Sequence, residues 1–445
     1  MRGPGGIFQR AVAAAASLTG KRFGLLVASS LVATSGIVAS ALSNPADSGP
    51  LTALVGRTLA ADPQPAAVSP TPPSPSGGSA PGSEKTAEPS SLGTPSSPEP
   101  LGAPEPAPEE PAPEPAPPAP MPEAGPIKHV FVVSLASPGY EEAFGPASQM
   151  PYLSGTLRSQ GTLLSNYALL DDSGIANSIA AISGQPPNAQ TTAGCPTYAE
   201  FPPGTKANGK GIVRGAGCVY PVETLTLADQ LGSARFTWHA YMDGMVDEGG
   251  QPATCVHPGS GEAETATPGG YATTQNPFAY FHSLLDLGDC TSNDISIDKL
   301  SGDLRKAAGT PNYSFIAPTP CDSGAIGRCV AGSPEGAANA DAFLSQWVPQ
   351  ILAAPAFKKD GLLIVVFDAL PIESGTTPPA GDPLRVGALL ISPFASKGGT
   401  ETVPFNPYSL FRSSEELFGL EKLAMGADPK TKTFAPELLG ETRGD

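Results

Sequence analysis

Asp368 closes an apolar run, Gly361-Leu362-Leu363-Ile364-Val365-Val366-Phe367, and is followed by Ala369, a Gly/Pro-rich loop and a second apolar run ending at Ser392-Pro393. A carboxylate just past the end of a central strand of an α/β sheet stands where ligand chemistry collects, and Asp368 is the first candidate for a metal ligand. One acid alone holds no catalytic cation, which needs several ligands in fixed geometry. Without partners Asp368 is a turn residue. A second polar stretch is Asp171-Asp172-Ser173. The same residues are good helix caps, and Ile175, Ile179 and Ile182 follow at helical spacing. Asn177 lies inside that helix, where an Asn can brace the turn. Arg385 carries a permanent forked charge suited to an anion, or to an ordinary place on the surface.

Four histidines occur, His129, His239, His257 and His282, and their scattered positions read as packing or surface residues. Six cysteines occur, none in a CxxC pair, which leaves fifteen connectivities open. Neighbour pairing is favoured, Cys195 with Cys218, Cys255 with Cys290 and Cys321 with Cys329, because each pair closes a loop rich in Gly, Pro and Ser. Zinc sites want short spacings with histidine nearby, and only His257 is close to a cysteine. Disulfides suit an exported chain.

Export is the reading of the N-terminus. Residues 1–22 are basic, and 23–42, FGLLVASSLVATSGIVASAL, carry no charge over about the length that crosses a bilayer. Ala39-Ser40-Ala41 has the form of a signal-peptidase site, whereas the length of the run suits an uncleaved membrane anchor. Either way the rest of the chain is expected in the cell envelope or outside the cell. Residues 62–126 are rich in Pro, Ala, Ser and Glu and read as a disordered, extended spacer. The net charge of −17 in 445 residues argues against nucleic acid as a partner, since backbone binding needs a basic face.

Residues 127–445 read as one α/β domain. Strands are expected at the start, over 163–170, 235–242, 313–317, 362–367 and 388–391. Helices are expected over 150–160, behind 171–173, over 226–232, 278–287, 297–307, 337–353 and 408–417. Their alternation indicates a central sheet with helices on both faces.

The pieces HVFVV, ANSIAAISG, LADQL with FTWHAYMD, NPFAYF, LSGDL, NYSFIAP, LLIVVFD, ALLISPFAS and NPYSLFRSSEELFGL follow in order over residues 127–423. In that order they resemble the bacterial phosphoesterase family that includes phospholipase C and acid phosphatase, a branch of the alkaline-phosphatase-like superfamily. The resemblance implies an alkaline-phosphatase-like core and hydrolysis of phosphate esters. It implies a divalent metal held by a Glu-Asn pair after the first strand and an acidic pair after a later one, a Ser or Thr nucleophile, and histidines on the phosphate. Metal and donors would stabilise charge on the transferring phosphoryl group.

Position by position, the set is depleted. Leu135-Ala136-Ser137 stands where Met-Glu-Asn is expected, and Gly174 stands at the nucleophile, with Ser173 one residue earlier. Asn177 matches the pattern, which implies a place at the substrate, and Asp368 is kept but its neighbour is Ala369. Gln275 replaces a histidine before Asn276-Pro277-Phe278, residues 322–328 contain none, and Arg385 falls where the last is expected. The leading expectation is therefore a domain without metal chemistry and without a cofactor, binding an envelope component through the old cleft. An active phosphoesterase with a rebuilt metal site, using Ser173 with Asp368, Asp171 or Asp172 on a phosphate ester, is the rival. A purely structural envelope protein is the third reading.

Overall fold

Strand β1, His129–Leu135, is buried at every residue from Val130 onward, so both of its faces are covered. A strand in that position loses the in-out alternation of a half-exposed sheet and becomes one apolar run. The computed structural model describes residues 127–264, 266–370 and 384–434. The expected basic region, apolar segment and spacer at 1–22, 23–42 and 62–126 lie outside these residues, as does most of the loop after Asp368.

The remaining strands are β2 (Thr162–Leu164), β3 (Ala168–Leu169), β4 (Trp238–Met242), β5 (Asp294–Ser296), β6 (Tyr313–Ala317), β7 (Gly361–Phe367), β8 (Leu384–Arg385), β9 (Ala388–Ile391) and β10 (Gly399–Glu401). Eight of them form one sheet in the order β10-β2-β9-β7-β1-β6-β4-β5, while β3 and β8 pair separately. All neighbours in the large sheet are parallel except β9, which runs against β2 and β7. Ser134 lies opposite Val366 and Leu135 opposite Phe367, so β1 and β7 end at one level. The backbone N–H of Asp368 then donates to the Leu135 carbonyl at 2.8 Å, which brings Ala136 and Asp368 out of the sheet side by side.

The main helices are α1 (Gly174–Ser183), α2 (Leu227–Ser233), α3 (Ala337–Ala353), α4 (Pro355–Asp360) and α5 (Pro407–Leu417). α1, α2 and α5 pack on one another, whereas α3 packs on α4 and α4 on β1 and β7. The rings of Phe131 and Phe357 meet at 6.2 Å across that second contact, and residues of β1 on both faces are buried, so helices cover the sheet from two sides. α1 stops at Gly184, whose φ of +66° is open to glycine at little cost. α5 starts on a reciprocal cap between Asn406 and Ser409.

Several expected elements are shorter. The strand over 163–170 divides into β2, which ends beside β10 as Ser165 N–H donates to Glu401 O at 2.9 Å, and β3, which pairs with β8. The strand over 235–242 begins only at Trp238. The helix over 278–287 is two turns, Pro277–Tyr280 and His282–Leu285, and the one over 297–307 is likewise broken into short turns. Tyr152–Leu157 and Arg158–Gln160 form a wide and then a tight helical turn in place of a regular helix over 150–160. Disulfides join Cys195 to Cys218, Cys255 to Cys290 and Cys321 to Cys329. Among the described residues no helix is long and apolar enough to cross a membrane.

Candidate functional site

Asp368 leaves the end of β7 into a buried corner between β1 and α1. Its Oδ2 accepts hydrogen bonds from Ser134 Oγ at 2.9 Å and Ser178 Oγ at 2.8 Å, one hydroxyl from the strand and one from the helix. Its Oδ1 has no partner among the described residues. Burial pushes the carboxyl up to about 7, and the two serine hydroxyls offset only part of that. A Cβ built on Gly174 would lie 3.2 Å from Oδ1 and 3.4 Å from the Cβ of Ala369. A hydroxyl-bearing side chain at 174 would therefore start against this carboxylate, and glycine leaves the space open.

Above this corner lies a cavity of about 300 Å³. Ala136 from the end of β1, Ser173, Gly174 and Ile175 from the start of α1, and Ala369 form one part of its wall. Thr192, Gln275, Pro320 and Arg328 form another, together with Asp172. Four positions where the resemblance implies another side chain, 136, 174, 275 and 369, thus line one cavity together with Arg328 from the segment 322–328. Gln275 is nearly enclosed, and its Oε1 has no partner among the described residues. Arg328 is carried into the wall by the loop that Cys321–Cys329 closes.

Ser173 is at the N-cap position of α1, but its side chain does not cap the helix. Its hydroxyl donates to the Thr191 carbonyl at 2.7 Å, a correction to the capping reading. Asp171 organises the turn, accepting from Ser173 N at 3.0 Å and from Thr192 Oγ1 at 2.9 Å. Burial and the neighbouring Asp171 carboxylate push the Asp172 carboxyl up. The N–H groups that open α1 have no side-chain cap, and Gly174 and Ile175 line the cavity, so the helix presents its positive end there.

Asn177 does not reach the cavity. Its Nδ2 donates to the carbonyls of Asp171, Ser173 and Asp368 at 2.7, 2.9 and 2.8 Å, and its Oδ1 accepts from Leu170 N at 2.8 Å. That amide has no capacity left for a substrate, so its role is to tie the turn before α1 to the end of β7. Arg385, read as an anion binder or a surface arginine, is held by other partners. On β8 it pairs with Glu141 at 3.1 Å and lies 3.8 Å over the ring of Tyr140, away from the cavity wall. The cation that does line the cavity, Arg328, has no ion pair among the described residues, and its only signal in the sequence is a charged residue in the segment where a histidine is expected.

Among the described residues, few donors stand beside Asp368 for a divalent cation. Among the described residues the one trio of ligand atoms within 4.8 Å is Cys255, Cys290 and Asp294, and those two sulfurs are bonded to each other. Asp368 offers a single free oxygen, with alanine at 136 and 369 and glycine at 174 around it. Hard cations take six or more oxygens, and Asp171 is committed to the turn.

A family model described as the Phosphoesterase family matches residues 147–421. No curated protein matches the chain. Among solved structures, the chain is similar to a protein in the alkaline phosphatase superfamily from Vibrio parahaemolyticus, with 13% identity, 67% of this chain and 68% of that chain covered, and a TM-score of 0.39. It is similar to a sulfatase from Pseudoalteromonas sp., with 12% identity, 72% and 74% coverage and a TM-score of 0.44. A phosphonate monoester hydrolase from Silicibacter pomeroyi gives 10% identity, 72% and 78% coverage and a TM-score of 0.42.

Proposed function

The chain belongs to the Phosphoesterase family, and from that premise we propose that it is an exported member that binds a phosphate-bearing ligand in the old cleft without metal-dependent hydrolysis. The observation that carries this reading is the surround of Asp368. Ala136, Gly174 and Ala369 replace the side chains that would hold a metal or attack phosphorus, yet the cavity stays open at about 300 Å³.

What remains suits an anion. Arg328 supplies a forked donor, and the uncapped start of α1 supplies backbone N–H groups with the favourable end of the helix dipole. Burial keeps Asp368 largely uncharged up to about pH 7, so it repels an anion little. Ser173, held on the Thr191 carbonyl, has no base within its hydrogen bonds to activate it. Three disulfides support a location outside the reducing cytosol, where the ligand is a component of the cell envelope.

The test is metal content and turnover of the purified chain. Elemental analysis is expected to find no stoichiometric divalent metal. p-Nitrophenyl phosphate is expected to be hydrolysed no faster with Mg²⁺, Ca²⁺, Mn²⁺ or Zn²⁺ than with chelator. A rate that disappears both with chelator and in Asp368→Ala would overturn the proposal in favour of a rebuilt catalytic centre.

A further inference from the structure

Away from the cleft, a buried carboxyl sits against a disulfide. Asp294 opens β5 four residues after Cys290, and both are wholly enclosed, whereas Cys255 at the other end of the bond is partly exposed. The Cys255 N–H donates to the Asp294 carbonyl at 3.0 Å, which fixes the two chain segments together. Asp294 Oδ2 accepts from Asn276 Nδ2 at 2.6 Å and lies 3.6 Å from Cys290 Sγ, while Oδ1 has no partner among the described residues. A sulfur in a disulfide has no hydrogen to donate. The only proton that can occupy the contact between Asp294 and Cys290 is the carboxyl's own.

The surroundings keep that proton in place. Burial raises the carboxyl to about 7, and the hydrogen bond from Asn276 opposes it. The groups that face Asp294 are the hydroxyls of Tyr271 and Tyr198, both of which feel its charge, and the amide of Asn276; no cation counters it among the described residues. A carboxyl buried with one oxygen unpaired costs stability. Its placement against one sulfur of a bond whose other sulfur belongs to a partly exposed residue gives it chemical work.

We propose that Cys255–Cys290 is a thiol-exchange site in which a small external thiolate attacks Cys255 Sγ and Asp294 hands its proton to the departing Cys290 Sγ. The new S–S bond forms between the incoming thiolate and Cys255, and the electron pair of the old bond leaves on Cys290. The proton moves from Asp294 to that sulfur, so the products are a mixed disulfide on Cys255, a Cys290 thiol and an Asp294 carboxylate that recovers its proton from water. Attack falls on Cys255 because Cys290 is enclosed, and exchange is faster when the leaving thiolate is stabilised as it departs. An ionised Asp294 would instead repel it.

The experiment treats the full oxidised chain with reduced glutathione between pH 6 and 8.5 and follows each disulfide by differential alkylation and mass spectrometry. Rates are divided by the glutathione thiolate concentration. The wild-type rate constant for this bond is expected to fall about tenfold or more as pH rises through 7, with glutathione found on Cys255. Asp294→Asn keeps the shape and is expected to be about tenfold slower at pH 6 with a flat profile. A wild-type constant that does not fall with pH, glutathione on Cys290, or an Asp294→Asn profile parallel to wild type would each overturn the proposal. If the variant fails to fold, the wild-type profile and the site of glutathione attachment decide it alone.

Discussion

Gly174 faces Asp368 so closely that a Cβ at 174 would lie 3.2 Å from the free carboxylate oxygen. The two positions are 194 residues apart in sequence (368 minus 174), and they meet because α1 packs over the ends of β1 and β7. Around this contact Ala136, Ser173 and Ala369 form one part of the cavity wall.

Stability should depend on pH in an unusual direction. The folded-state values of Asp368, Asp294 and Glu415 are raised to about 7, 7 and 8, all chiefly by burial. The folded chain therefore holds these protons more tightly than the unfolded chain. The associated stability is complete below about pH 4 and is lost as pH rises through 7 to 8. Urea midpoints should fall between pH 5 and 8.5. Asp368→Asn should be near neutral at pH 5 and stabilising by on the order of 1–3 kcal/mol at pH 8.5. A midpoint that climbs with pH contradicts this.

Arg328 and Arg385 should separate cleanly in binding. Arg328 lines the cavity and Arg385 is held by Glu141 and Tyr140. Calorimetric titration with phenyl phosphate should show Arg328→Ala weakening binding by about 10- to 100-fold, the loss of a charge-assisted bond. Arg385→Ala should stay within about twofold, since an exposed ion pair contributes little. Equal effects would place the ligand elsewhere.

Asn177 should matter for folding and Ser173 for little. Removing the Asn177 amide takes a donor from the carbonyls of Asp171 and Asp368 and an acceptor from the N–H of Leu170, while the Ser173 carbonyl keeps the backbone N–H of residue 177. Asn177→Ala should cost about 2–4 kcal/mol in urea denaturation. Ser173→Ala gives up one hydroxyl bond to Thr191 and should cost about 1 kcal/mol, with phenyl phosphate affinity unchanged. A larger loss of binding than of stability at 173 would return Ser173 to the ligand site.

The short loop between Cys321 and Cys329 should couple a disulfide to the cavity. Replacing both cysteines by serine should cost about 2–3 kcal/mol, because the unfolded chain gains the freedom that the cross-link denies it. It should also weaken phenyl phosphate binding by about as much as Arg328→Ala, because the loop holds that side chain in the wall. Unchanged affinity in the double variant would show that Arg328 is placed by other contacts.

The sequence by itself determined the central strands and the helix behind Asp171-Asp172-Ser173, because apolar runs and helical spacing are local patterns that burial enforces wherever they occur. The order of motifs along the chain was also enough to show the family, whose model matches residues 147–421. The sequence overran where packing overrides local preference, as in the broken turns over 278–287 and 297–307. Only the tertiary structure decided which side chains meet. Ser134 and Ser178 reach Asp368 across 234 and 190 residues, and no local pattern announces a hydrogen bond of that span. The same holds for the direction of a side chain on a loop. Arg385 and Arg328 are both arginines near expected histidines, yet the pairing of β8 with β3 turns one over Tyr140 while a disulfide loop carries the other into the cavity. A side chain's type is written in the sequence, but its partners are fixed by the backbone on which it is mounted.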